Sequence, residues 1–287
     1  NVIVITALFA LGLAFLLGLA LGFFKQFFAV PEDPLAGQIR EALPGANCGA
    51  CGFPGCDGYA AAMAAGETGP DRCTVGGAET AKKLSAILGV EASVVPQMAV
   101  IACRGYHDKA LLKGTYTGIE TCRGAKISAG GTKLCAWGCI GFGDCVRVCK
   151  FGALSMGPRG VPLVDHRKCV GCRMCSAECP QFLIRIIPRE QKGAMPVCSN
   201  RNPIRTLVAR YCKSGCIKCE LCVKNCPEQC ITMQNGIPAV DNSKCVSCGV
   251  CTAKCPTKVL KLIQRDILED IQEKAAVPEE AKEPVKA

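Results

Sequence analysis

The sequence predicts an α+β chain: a single transmembrane helix, then a small helical cysteine-rich domain, then two tandem modules built on one plan. Three observations predict it. The chain opens with an uncharged apolar run, it holds 25 cysteines gathered in runs, and those runs repeat internally after residue 135. Of 287 residues, 49% are hydrophobic, enough for two or three small domains with cores of their own. Disulfide stapling is the usual meaning of so many cysteines. Here the gaps of two to five residues place most thiols too close to pair within a run. Such spacing gathers several sulfurs around one point, as a metal centre needs. Thiols must be reduced when metal arrives, which predicts a cytoplasmic compartment.

The first element is the anchor, residues 1–25. From Val2 to Phe24 the sequence reads VIVITALFALGLAFLLGLALGFF, without a charge and with one hydroxyl, Thr6. As a helix it spans roughly 35 Å against a hydrocarbon core of about 30 Å. A signal peptide would carry a basic n-region, a shorter apolar run and a cleavage site, and none is present. Lys25 and the basic residues after it predict that the C-terminal side faces the cytoplasm and the N-terminus lies outside. Ala10, Ala14, Gly18 and Gly22 recur every four residues, a small face of the kind that lets another membrane helix approach.

Residues 26–95 form the small helical domain. Helical stretches such as AGQIREAL, GYAAAMAA and AETAKKLSAIL flank Cys48, Cys51, Cys56 and Cys73, spaced C-x2-C-x4-C-x16-C. Gly49, Gly52 and Gly55 permit close backbone approach to a bound group. Residues 96–134 are a glycine-rich connection holding the isolated Cys103 and Cys122. The first module covers 135–187, a linker 188–211, the second module 212–263, and a charged tail 264–287 with Pro278 and Pro284 ends the chain.

The second module states the chemistry most plainly. Cys216, Cys219, Cys222 and Cys226-Pro227 follow C-x2-C-x2-C-x3-C-P, and Cys245, Cys248, Cys251 and Cys255-Pro256 repeat it. This is the bacterial two-cluster ferredoxin run, whose fourth cysteine ligates the other cluster. Three closely spaced thiolates wrap one 4Fe-4S cubane, and the fourth iron is reached from the other half. The expected sets are therefore Cys216, Cys219, Cys222 with Cys255, and Cys245, Cys248, Cys251 with Cys226. Structural zinc takes two ligand pairs across a longer gap, and four cysteines within eleven residues, twice over, exceed that need.

The first module bends the spacing. Its second half, Cys169, Cys172, Cys175 and Cys179-Pro180, is regular. Its first half is Cys135, Cys139, Cys145 and Cys149, or C-x3-C-x5-C-x3-C, with Lys150 in the place of the proline. Ferredoxin logic predicts Cys135, Cys139, Cys145 with Cys179, and Cys169, Cys172, Cys175 with Cys149. With the N-terminal four-cysteine motif, five 4Fe-4S clusters are expected on an architecture of two tandem two-cluster ferredoxin-like modules behind a helical 4Fe-4S domain. Five cysteines remain: Cys103, Cys122, Cys198, Cys212 and Cys230. They read as free buried thiols, and no sixth site is assigned to them.

LPGANCGACGFPGCDGYA after a membrane anchor, followed by CAWGCIGFGDCVRVCKFGAL and a ferredoxin module, resembles the B subunit of the Rnf complex. The likeness runs from the anchor to about Ile263. It implies a membrane assembly that moves electrons between ferredoxin and NAD and couples the transfer to sodium or proton translocation. It further implies integral membrane and flavin-bearing partner subunits, soluble ferredoxin as electron donor, and a place in the cell membrane. The second module implies a longer electron path. An iron–sulfur carrier serving another membrane or soluble reductase is the alternative, and a metal-stabilised scaffold a third.

Other classes find no support in the sequence. No G-x-G-x-x-G follows a predicted strand, SAGGTK lacks the core of a P-loop, and His107 and His166 stand in no catalytic motif. The formal charge of +10 suggests nucleic acid, yet five oxidised clusters on their thiolates contribute roughly −2 each, about −10 in all. With four tyrosines, one tryptophan and no lysine-arginine stripe, nucleic-acid binding is not expected. Arg185, Arg189, Lys192, Arg201 and Arg205 read first as a solvated face and second as a dock for an acidic partner.

Overall fold

A computed structural model describes residues 2–27, 33–91 and 94–267 of the chain. Most of the expected tail, from 268 onward, lies outside the described residues. Helix α1 (Val2–Phe27) contains an apolar span, Ile3–Phe24, of mean hydropathy 2.6 and long enough to cross a membrane. None of that span is buried against the rest of the chain, and its large side chains are exposed. A helix apolar on every face meets its matching solvent in lipid.

The helical domain follows. Helix α2 (Pro34–Ala42) starts with proline in its first turn, and Asp33 caps it by accepting from Leu35 N–H at 2.8 Å. Helix α3 (Gly55–Ala64) and helix α4 (Gly77–Leu88) complete the domain, and α4 stops at Gly89 in the left-handed conformation. Ile39, Leu43, Tyr59, Met63 and Leu84 form one core together with Cys56 and Cys73. Tyr59 is buried and polar at its tip. Its hydroxyl donates to Gly69 C=O at 2.7 Å and accepts from Arg72 N–H at 3.2 Å, fixing the loop that delivers Cys73. Burial pushes this phenol up to about 12, so it stays a donor.

The remaining chain alternates short elements. Strand β1 (Gln97–Ile101) leads through α5 (Cys122–Ala129) and α6 (Asp144–Arg147) to the hairpin β2 (Leu154–Met156) and β3 (Pro162–Val164). Then come α7 (Met174–Glu178) and β4 (Ile184–Pro188). The order recurs as β5 (Ala194–Pro196), α8 (Arg205–Tyr211), α9 (Leu221–Lys224), β6 (Ile231–Gln234), β7 (Ile237–Val240), α10 (Val250–Lys254) and β8 (Leu260–Leu262). In each repeat the first strand pairs antiparallel with the last, β1 with β4 and β5 with β8, and the two middle strands form a hairpin.

The opening strands thus lie in stretches expected as a connection (96–134) and a linker (188–211). They carry no cysteine, so the cysteine runs could not mark them. The two repeats also share one core. Met98, Ala99, Val100, Ile184 and Ile187 of the first pack with Met195, Val197, Ile263 and Ile267 of the second.

Candidate metal centres

Each regular cysteine run is curled by the same backbone device. In the loops beginning at Cys169, Cys216 and Cys245, the second and fourth residues after the first cysteine have positive φ. These are Gly171 (67°) and Arg173 (67°), Lys218 (55°) and Glu220 (60°), Ser247 (58°) and Gly249 (77°). Alternating left- and right-handed residues turn successive N–H groups toward one concave side, a surface suited to anionic groups. N–H groups also reach the sulfurs. At the fourth cysteine of a run the donor is four residues on: Ala153 to Cys149 at 3.3 Å, Leu183 to Cys179 at 3.5 Å, Val259 to Cys255 at 3.3 Å.

The thiols meet in sets. Cys216, Cys219, Cys222 and Cys255 line one cavity. Cys251 lies near Cys245, Cys248, Cys226 and Cys222, and Cys175 near Cys172, Cys169, Cys145 and Cys149. In the helical domain, Cys73 faces Cys56, Cys48 and Cys51 and takes a hydrogen bond from Gly76 N–H at 3.4 Å. Asn47 holds the start of that loop, accepting from Cys56 N–H at 2.8 Å.

The stretched loop is arranged differently from expectation. Cys122, Cys139, Cys145 and Cys179 line its cavity, whereas Cys135 faces Cys103, Cys198 and Cys212. The backbone explains the exchange. Gly141 (φ 101°) and Gly143 (φ 76°) are the two left-handed residues, which aligns Cys139 with Cys169 and Cys145 with Cys175. Phe142 then stands where the middle cysteine, Cys172, stands in the regular loop. Cys122, at the start of α5, packs with Ile140 and Phe142 and brings a fourth thiol to this cavity. The sequence held this signal in the C-x2-F-x2-C-x3-C register of 139–149, once Cys135 is set aside.

Burial is the first cause of raised thiol pKa values throughout. It pushes Cys145 and Cys175 up to about 12 and Cys251 up to about 11, with neighbouring thiols adding to the rise. Thiolates gathered here therefore need compensating positive charge, which iron provides as protons leave. Among the described residues, no three or more Cys, His, Asp or Glu stand close enough to hold a single ion, and the sets surround cavities. The residues present fit clusters in donor type, number and N–H support.

Two further side chains matter. Lys218 is 8% exposed, its Nζ has no hydrogen-bond partner, and it lines the Cys216 cavity. Arg189, one of the candidate docking cations, donates inward to His166 C=O at 2.7 Å and Cys169 C=O at 2.6 Å. It braces the ligand loop. Cys230 lies with its sulfur 3.5 Å from that of Cys226, beside a ligand set already of four.

Two family models match the cysteine-rich stretches. A family described as a putative Fe-S cluster matches residues 43–75, and the 4Fe-4S dicluster domain matches 135–183 and 215–259. The chain is 40% identical over 235 residues to the B subunit of the Na(+)-translocating ferredoxin:NAD(+) oxidoreductase complex of Acetobacterium woodii, covering 81% of this chain and 69% of the relative. It is 37% identical to the B subunit of the proton-translocating ferredoxin:NAD(+) oxidoreductase complex of Clostridium ljungdahlii, covering 84% of each. It is 34% identical to the B subunit of the ion-translocating oxidoreductase complex of Methanosarcina acetivorans, covering 81% and 88%.

Proposed function

The chain belongs to the family of B subunits of ion-translocating oxidoreductase complexes, and from that premise we propose that it is the membrane-anchored electron carrier of such a complex. In this reading it accepts electrons from reduced soluble ferredoxin. It passes them through its cysteine-held centres toward flavin-bearing and integral membrane subunits that deliver them to NAD. Helix α1 crosses the cell membrane with its N-terminus outside, and the cysteine-rich domains work on the cytoplasmic side. The chain carries electrons and makes or breaks no covalent bond of a substrate.

The observation that carries this reading is the nearness of successive thiol sets. Cys48 of the helical domain stands near enough to Cys172 for their charges to oppose, and Cys175 stands likewise toward Cys145. In the second module Cys251 faces Cys222 across the two sets. A 4Fe-4S cluster, when bound, supplies a one-electron site whose potential depends on nearby charge, hydrogen bonds and exposure. The protein's part is to hold the thiolates, donate N–H groups to them, exclude water and set cations such as Lys218 beside them. We assign Cys48, Cys51, Cys56 and Cys73 to the first centre. Cys149, Cys169, Cys172 and Cys175 hold the second, and Cys122, Cys139, Cys145 and Cys179 the third. In the second module the sets are Cys216, Cys219, Cys222, Cys255 and Cys226, Cys245, Cys248, Cys251.

The test is anaerobic purification from the native membrane through a tag on this chain. Co-purifying integral membrane subunits and a flavoprotein are expected, and reduced ferredoxin should bleach the cluster absorbance of the complex within one turnover. Isolation with a different reductase, or clusters that ferredoxin leaves oxidised, would overturn the assignment.

A further inference from the structure

Five cysteines stand outside those five sets, and four of them, all but Cys230, line one cavity. Cys103 follows β1, Cys135 precedes the stretched loop, Cys198 follows β5, and Cys212 ends α8. They are far apart in sequence and meet at the junction of the modules. Ala110 bridges Cys212 in antiparallel fashion, Leu111 N–H donates to Tyr211 C=O at 2.8 Å, and Ser199 Oγ donates to Ala102 C=O at 3.1 Å. All four cysteines line one enclosed cavity, with Lys133 and Asn200 beside them.

We propose that Cys103, Cys135, Cys198 and Cys212 hold a sixth 4Fe-4S cluster, which joins the electron paths of the two modules. It rests on the reading that the chain is a cluster carrier, and extends it by one centre.

Four independent features point to a ligand. The first is size: the cavity's volume, about 20 Å³, matches those at Cys216 and at Cys122. The second is the hydrogen-bond pattern. Cys103 Sγ accepts from Gly105 N–H, two residues on, at 3.4 Å. N–H donation to sulfur is also seen at Cys149, Cys179 and Cys255, and it serves a thiolate ligand. Asn200 Nδ2 also donates to Cys135 Sγ at 3.4 Å.

The third feature is Lys133. It is 3% exposed, lines the cavity, and its Nζ has no hydrogen-bond partner. A buried cation left this way costs several kcal/mol unless a counter-charge meets it, and a cluster with four thiolates is an anion of roughly −2. Lys218 stands in the same relation to the Cys216 cavity.

The fourth is position. Cys139, of the stretched-loop set, donates its N–H to Cys103 Sγ at 3.4 Å, and Cys216, of the second module, donates its N–H to Cys198 Sγ at 3.5 Å. The site touches one ligand loop on each side. An electron leaving a reduced cluster on one side, which returns to its oxidised form, reduces this cluster and moves on to the oxidised cluster opposite.

The full chain, purified anaerobically, settles the count by iron and acid-labile sulfide analysis and by native mass spectrometry. About 24 iron and 24 sulfide per chain are expected, where five clusters give about 20 of each. Cys198→Ser and Cys212→Ser should each lose about four iron while keeping the absorbance of the remaining clusters. Lys133→Met should keep the full iron count and shift one midpoint potential to more negative values. A wild-type count near 20, or one zinc per chain that Cys198→Ser removes, overturns the sixth cluster while leaving the carrier reading intact. No iron or sulfide at all would overturn both. The wild-type count decides even if a serine variant fails to fold.

Discussion

Phe142 stands where Cys172 stands in the regular loop, and under the proposed ligand sets that single residue accounts for the stretched motif. With Gly141 and Gly143 holding the regular curl, the loop keeps its shape and lacks one sulfur, which Cys122 brings from α5. Cys122→Ser should therefore lower the cluster content by about one, or about four iron per chain. Phe142→Cys in the same chain should restore it, since the new thiol falls at the position of Cys172 in the regular loop. Iron analysis of the single and double variants checks this. Restoration by Phe142→Cys in a Cys135→Ser background would instead make Cys135 the missing ligand. A second residue-scale expectation concerns Tyr59. Removing its hydroxyl in Tyr59→Phe deletes two hydrogen bonds at a buried position, a cost of about 1–3 kcal/mol. The helical domain should then lose its cluster at lower denaturant concentration, followed by visible absorbance.

Among the elements, α7 and the short helices like it decide which thiol serves which centre. Cys175 lies inside α7 and Cys179 at its end, and the intervening turn directs the two sulfurs to different cavities. Cys179→Ser should perturb the cluster of Cys122, Cys139 and Cys145, leaving its sequence neighbour at Cys169 and Cys172 unchanged. An electron-density map of the loaded variant distinguishes the two, and a defect at Cys169 would defeat the exchange. Helix α1 makes a separate expectation. All cysteines lie beyond it, so deleting Val2–Phe24 should release a soluble protein that is still brown. Retention on washed membranes would mean that partner subunits, and not the helix, hold the chain. The sequence made these elements legible where chemistry recurs at fixed spacing, as in the C-x2-C-x2-C-x3-C runs and the apolar span. It hid β1 and β5, whose pairing with β4 and β8 is non-local and carries no motif. It hid the meeting of Cys103, Cys198 and Cys212 for the same reason, since each sits alone on its own segment.

At the scale of the whole molecule, the shared core makes the two modules one folding unit. Ile263 is fully buried against residues of both repeats. Ile263→Ala should cost about 2–5 kcal/mol and lower the stability of both modules together. Far-UV dichroism and cluster absorbance should then report one coincident transition. Two separated transitions would show that the repeats fold independently.

The contacts between thiol sets run in one order: Cys48 to Cys172, Cys175 to Cys145, Cys139 to Cys103, Cys198 to Cys216, and Cys222 to Cys251. If each set holds a cluster, as proposed, the centres stand in series. Among the described residues Cys248, in the last set, is the exposed cysteine. Dioxygen would therefore attack the line at one terminus first. Damage there would close that end of the proposed line while leaving the buried centres intact.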